Sequence, residues 1–227
     1  MKPAKPVLLI NLKAYEEATG KNALALARIA ESLAHEHVEI IVAAQPVDIR
    51  AVAESVRIPV FAQHIDPVNY GSRTGWILPE AVKAAGAKGT LLNHSERRID
   101  IETIKKSLAR CREAGLTTVV CAETPEKAKE IAALHPDYIA IEPPELIGGD
   151  ISVSKARPEV ITESVEKVNS VARIPVLCGA GVKDAEDVRK AIELGAKGIL
   201  VASGVIKTKN QKEAIIDLLK GFGGGKE

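Results

Sequence analysis

The sequence predicts an α/β fold in which parallel strands close into a barrel. Three observations carry that prediction: short apolar runs recur eight times along 227 residues, helical patterns separate them, and polar or glycine-rich clusters follow several of the runs. A strand covered on both faces reads as an unbroken apolar run. Strands that alternate with helices imply βαβ units. Functional groups at the C-terminal ends of strands are the habit of parallel barrels. Eight units favour closure over an open sheet, and a chain of this length suits one barrel domain, predicted over residues 1–220 with a loose glycine-rich tail at 221–227.

Val7 to Asn11 opens the series, and Leu24, Leu26, Ile29, Ala30 and Leu33 then recur at helical spacing, which predicts a helix over Asn22 to Glu36. The next strands are expected at Glu39 to Ala43, Val60 to Ala62, Thr90 to Asn93 and Thr118 to Cys121, followed by Tyr138 to Ile141, Val176 to Cys178 and Gly198 to Val201. Between them, helices are predicted over Val47 to Glu54, Pro79 to Ala85, Asp100 to Ala114 and Pro125 to Leu134. Pro158 to Val171, Asp184 to Leu194 and Gln211 to Leu219 complete the set. Several begin with Pro or Asp and several end near Gly, as helix start and stop chemistry requires. A weak internal echo supports repeated half-units: AVKAAGAKGTLL resembles AIELGAKGILV, and RIPV occurs twice.

Composition excludes several classes of function. Lys plus Arg number 31 against 30 Asp plus Glu, interspersed without blocks, so nothing attracts a nucleic acid. Cys111, Cys121 and Cys178 form no CxxC pair, which argues against a zinc knuckle or a disulfide framework and leaves them as buried small residues in a reducing compartment. The first apolar run, Val7 to Ile10, is too short for a signal peptide or a membrane span, so a soluble cytoplasmic protein is expected. The terminal GGGK lacks the Ser or Thr and the helix of a nucleotide-binding loop. One Met, few Asn and Gln, and abundant charge suggest stability at high temperature.

The strand-end clusters carry the chemistry. Glu142 follows an apolar strand and precedes Pro143 and Pro144, so it is expected to be buried, with its pKa raised toward the range of a general base. The same residue could serve as a structural partner for a lysine. PPELIGGD, with stiff prolines at one end and glycines at the other, has the composition of a hinged lid. In NHSERR, Ser95 is a good N-cap for a short helix whose positive end would keep His94 neutral and able to donate to a substrate oxygen. The bland alternative is a surface histidine beside a Glu96–Arg97 ion pair. CGAG, after the seventh predicted strand, offers backbone amides at Gly179 and Gly181, and VASGV, after the eighth, offers more amides and the Ser203 hydroxyl, where many barrels bind phosphate. Tight turns alone would read the same way. In a closed barrel Lys13, just past Asn11, would reach the same mouth and offset anionic charge; its default role is a solvated loop lysine.

Together NLK at Asn11 to Lys13, AQH at Ala62 to His64, GSRTG at Gly71 to Gly75, NHSERR, EPPELIGGD, CGAG and VASGV resemble the triosephosphate isomerase family in its shorter archaeal form, in the family's order. The resemblance implies a (β/α)8, or TIM, barrel that interconverts dihydroxyacetone phosphate and glyceraldehyde 3-phosphate through an enediolate, with no metal or organic cofactor. The pairing of a Glu base with a neutral His is this family's established pattern. By position it assigns Glu142 as the base, His94 as the electrophile that polarises the carbonyl, and Lys13 as the catalytic cation. Asn11 orients substrate, Ile147, Gly181, Ala202 and Ser203 hold the phosphate, and Glu96 supports. It also implies a homotetramer built from dimers, with Thr74 in the loop that reaches a neighbouring subunit. Two segments depart from the family: IGGD at Ile147 to Asp150 replaces IGTG, adding a glycine and an acid to the lid, and VAAQP replaces a form richer in proline. The rival readings are another sugar-phosphate isomerase, an aldolase, which would need a strand-end lysine for a Schiff base, and a non-catalytic barrel that binds a phosphorylated metabolite.

Overall fold

The computed structural model describes residues 5–34, 36–143 and 156–223. Eight parallel strands close a barrel in sequence order: β1 (Val7–Asn11), β2 (Glu39–Ala44), β3 (Val60–Ala62), β4 (Gly89–Leu92), β5 (Thr117–Ala122), β6 (Tyr138–Ile141), β7 (Val176–Cys178) and β8 (Gly198–Val201). Closure is made where β8 returns to β1, with Val7 opposite Gly198 and Ile10 opposite Val201. A Cβ on Gly198 would lie 2.2 Å from the Val7 carbonyl oxygen, so only glycine lets these two backbones approach.

Among the described residues the outer helices are α1 (Lys21–Ser32), α2 (Ile49–Ser55), α3 (Pro79–Ala84), α4 (Ile101–Ala114), α5 (Pro125–Ala132), α6 (Pro158–Asn169), α7 (Ala185–Glu193), α8 (Ser203–Ile206) and α9 (Gln211–Lys220). Asp100 and Asp184 are caps and not first helical residues: each carboxylate accepts the N–H three positions on, from Thr103 and Asp187. Thr124 and Asn210 cap α5 and α9 in the same way. Helix α1 stops at Ser32, four residues short of the sequence expectation, because the Leu33 N–H already bonds back to Ala30. The four-residue α8 and a 3-10 turn at Glu16–Ala18 are too short to leave a periodic signal in the sequence.

The apolar runs are continuous because each strand is covered twice. Val7, Leu9, Ile41, Ala43, Phe61, Leu91, Val119, Cys121, Ala140, Leu177 and Leu200 fill the barrel interior. Their neighbours in sequence, such as Leu8, Ile10, Ile40, Val42, Leu92, Val120, Ile139, Ile141 and Val201, pack outward against the helices. Burying each large aliphatic side chain is worth roughly 1.5–3 kcal/mol. Alternation has a functional consequence. Counting on by twos from interior residues, Leu9 leads to Asn11, Leu91 to Asn93, Ala140 to Glu142, Leu177 to Gly179 and Leu200 to Ala202, so one parity delivers all five to the mouth at the C-terminal ends of the strands.

Candidate active site

Glu142 stands one residue past β6 and is 1% exposed. Its N–H donates to the Ala122 carbonyl at the end of β5 (2.8 Å), which fixes the backbone. Gly179 gives the side chain room: a Cβ there would come within 2.6 Å of Glu142 Cγ. Burial pushes the carboxyl pKa above its ordinary value. His94, a hydrogen bond from the Cys121 thiol, Lys13 and Arg98 pull against that rise without cancelling it. The Cys121 thiol is itself held well above the usual range, by burial first and by Glu142 second, so it stays protonated and serves as a donor to the carboxylate.

His94 is aimed by the residue before it. Asn93 adopts a left-handed backbone conformation (φ 56°), and its side chain donates to the Cys121 carbonyl (2.9 Å) and accepts from Ile99 N–H (3.0 Å). This strand exit turns His94 over the mouth with 7% of its surface exposed. No helix follows at Ser95, contrary to the sequence expectation; the chain makes a turn in which Arg97 N–H bonds to the His94 carbonyl. A single amide does the work assigned to that helix: Glu96 N–H donates to His94 Nδ1 (3.2 Å). Nδ1 is thus set to accept, which leaves Nε2 as the ring nitrogen able to donate. The Glu96 carboxylate lies farther from Nδ1, at 3.6 Å. Nor does Glu96 pair with Arg97, which reaches Asp66 (3.3 Å).

Lys13 also has a left-handed backbone (φ 49°), which for a residue with a Cβ costs roughly 1–2 kcal/mol. Its peptide is clamped on both sides: Asn11 Oδ1 accepts its N–H (3.1 Å), and the Gln63 amide donates to its carbonyl (2.9 Å) and to that of Ala43 (3.1 Å). The Lys13 ammonium pairs with Glu96 at 3.0 Å.

One cavity is lined by Lys13, His94, Glu142, Gly181, Ala202 and Ser203. Gly181 has φ 68°, open to glycine at no cost, and Ala202 and Ser203 lead into α8, whose first N–H groups have no intrahelical acceptor. Asn11 and Glu96 line an adjoining cavity of about 250 Å³ that shares Lys13 and His94. Asn11 thus lines a cavity beside Lys13 and also accepts the Lys13 N–H. Ile147 and the rest of the predicted lid from Pro144 onward lie outside the described residues, as do Gly149 and Asp150. Among the described residues, four buried side-chain polar atoms have no hydrogen-bond partner; two of them, His94 Nε2 and Glu142 Oε2, belong to this site.

The model of the triosephosphate isomerase family matches residues 6–220. The chain belongs to the triosephosphate isomerase family. It is 50% identical to the triosephosphate isomerase of Methanothermus fervidus, with 95% of this chain and 98% of that one aligned. Identity to the enzyme of Methanocaldococcus jannaschii is also 50%, over 94% of this chain and 99% of the other. A crystal structure of the triosephosphate isomerase of Bartonella henselae superposes with a TM-score of 0.73, at 21% identity, over 96% of this chain and 97% of that one, and so shares the fold. As a triosephosphate isomerase of archaeal type, the protein interconverts dihydroxyacetone phosphate and D-glyceraldehyde 3-phosphate.

Three residues of this triosephosphate isomerase site escaped the sequence reading. Cys121 was expected to be an inert buried residue; it is buried, and its thiol also contacts Glu142. Strand parity, which puts it beneath the mouth, was the available signal. Gln63 and Asn93 sit inside quoted motifs, but their roles depend on carbonyls of other strands that sequence spacing cannot locate.

Proposed function

We propose that Glu142 is the general base of the isomerisation and His94 its electrophile. Glu142 takes the proton from the carbon beside the carbonyl and returns it to the neighbouring carbon. His94 Nε2–H donates to the carbonyl oxygen as negative charge develops there and moves protons between the two enediolate oxygens. The Lys13 ammonium offsets that charge, Asn11 orients the substrate and also holds the Lys13 peptide, and Glu96 holds both the ammonium and, through its N–H, the histidine tautomer. Amides at Gly181, Ala202 and Ser203 hold the phosphate, with Ile147 of the lid completing the cradle and excluding water. The observation that supports this assignment is a pair of partnerless buried atoms, His94 Nε2 and Glu142 Oε2, on two residues that line one cavity.

The test is a coupled assay with glyceraldehyde 3-phosphate on the purified protein beside Glu142→Asp. Withdrawing the carboxylate by one methylene lowers turnover about a hundredfold or more while the melting curve stays in place. Equal turnover in the variant overturns the assignment of the base.

The assembly proposed is a homotetramer made of dimers, working in the cytoplasm, each chain a single barrel domain over residues 1–220 with the tail beyond. Tyr70 and Trp76, 76% and 54% exposed, flank Thr74 in a loop whose ends are tied where Asp66 bonds to Ile77 through both backbone and side chain. Such exposed aromatics favour a contact, and the cavity beside Lys13 and His94 would receive Thr74 of the partner subunit. Light scattering that returns the mass of one chain removes this proposal.

A further inference from the structure

Tyr15 lines the same cavity as Gly181, Ala202 and Ser203. Its backbone is extended, and its carbonyl is anchored by the Thr19 hydroxyl (2.8 Å) and by Ala18 N–H (3.0 Å), so the ring is carried on a fixed turn. Against that ring stands Lys207, the residue that closes α8, with Nζ 4.7 Å from the ring centroid. An exposed lysine ordinarily sweeps through water and its charge is screened. Seated on an aromatic face, the ammonium gains attraction from the ring quadrupole and keeps one position. No carboxylate among the described residues pairs with Lys207, so its charge is not spent locally. Helix α8 has only four residues and spans about 6 Å, which keeps Lys207 about one turn from Ser203 in the proposed cradle.

We propose that Tyr15 and Lys207 act as one unit that adds a fixed positive charge to the phosphate end of the site and so favours a phosphate dianion over an uncharged triose. The inference rests on Gly181, Ala202 and Ser203 being the phosphate cradle. Neither residue touches the reacting carbons; both are positioning residues for the anionic end. Their effect therefore falls on binding and leaves proton transfer alone. The ring is the seat and the ammonium is the effector, so the ring matters to the anion only while the ammonium is present.

The experiment compares the full-length protein with Lys207→Met, Tyr15→Leu and the double variant. It reads competitive inhibition by inorganic phosphate and the KM and kcat for glyceraldehyde 3-phosphate at low ionic strength. Each single change weakens phosphate inhibition and raises KM about threefold to tenfold, with kcat within about twofold of the starting protein. The double variant is no worse than Lys207→Met alone, because the ring acts only through the ammonium. Tyr15→Phe and Lys207→Arg, which keep the ring and the cation, retain ordinary values. Unchanged phosphate inhibition in Lys207→Met, or losses that multiply in the double variant, overturns the proposal. Failure of inorganic phosphate to compete with substrate in the unaltered protein instead overturns the cradle itself.

Discussion

His94 Nε2 and Glu142 Oε1 lie 3.4 Å apart with no hydrogen bond between them. A donor and an acceptor this close, both buried, would normally satisfy each other, since an unpaired buried polar group costs roughly 1–3 kcal/mol. Here Glu96 N–H fixes one side of the imidazole, Gly179 leaves room for the Glu142 side chain, and both residues line one cavity. A small molecule with a carbonyl oxygen and an adjacent C–H would meet both.

Glu142→Gln abolishes turnover and stabilises the fold at neutral pH. The folded carboxyl has a raised pKa, so between its ordinary value and the raised one the folded state holds more protons than the unfolded chain. Stability therefore falls as pH rises through that window, and above it the protein carries the full cost of a buried charge. Glutamine removes the cost. Calorimetry at pH 8 reads the gain as a higher melting temperature, about 2–4 °C for each kcal/mol recovered, and the gain shrinks on acidification.

The acid limb of kcat/KM rises with pH at a midpoint above the ordinary glutamate value, since the base works only when ionised. In Cys121→Ala the midpoint moves higher still, because the thiol hydrogen bond that favours the carboxylate is gone while burial remains. A pH–rate profile of the two proteins side by side checks the direction of the shift. The same change costs about 1 kcal/mol of stability through the small void it leaves.

Gly179→Ala lowers kcat while leaving a folded protein. The new methyl would stand 2.6 Å from Glu142 Cγ and 3.2 Å from the Ile141 carbonyl oxygen, and the flexible side chain yields before the strand does. Displacing the carboxylate by about 1 Å costs on the order of a hundredfold in turnover. Kinetics together with a circular dichroism melt separate this outcome from simple unfolding.

Gly198→Ala acts at the opposite end of the barrel and on stability. Its Cβ would be 2.2 Å from the Val7 oxygen, with backbone and not a mobile side chain in the way, so the β1–β8 seam must open. A loss of more than about 3 kcal/mol is expected from such a clash in a packed core, read by urea denaturation.

Much of this was legible in the chain. Apolar runs buried on both faces marked the strands, and five of the eight match their predicted limits: β1, β3, β6, β7 and β8. Their positions just past the ends of apolar runs were enough to send Glu142 and Ala202 to one mouth. The misplaced helix after Ser95 and the unseen α8 have one cause: one or two turns carry too few residues for periodicity to register, so loop hydrogen bonds decide them. The helix ends moved for a related reason, since Asp100 and Asp184 become caps only when their carboxylates find an amide three residues on.

What the sequence determined by itself was the alternation of eight strands with helices and the residue types at their ends, because burial and backbone propensity act over a few neighbouring positions. Only the tertiary structure decided that Gln63 holds the carbonyl of Lys13, that the Cys121 thiol lies close enough to act on the Glu142 carboxyl, and that His94 takes its tautomer from a single amide. Two of these partners come from different strands, and the third depends on how one turn is folded. The first two contacts exist only after barrel closure brings distant segments together, to within about 3 Å where hydrogen bonds act.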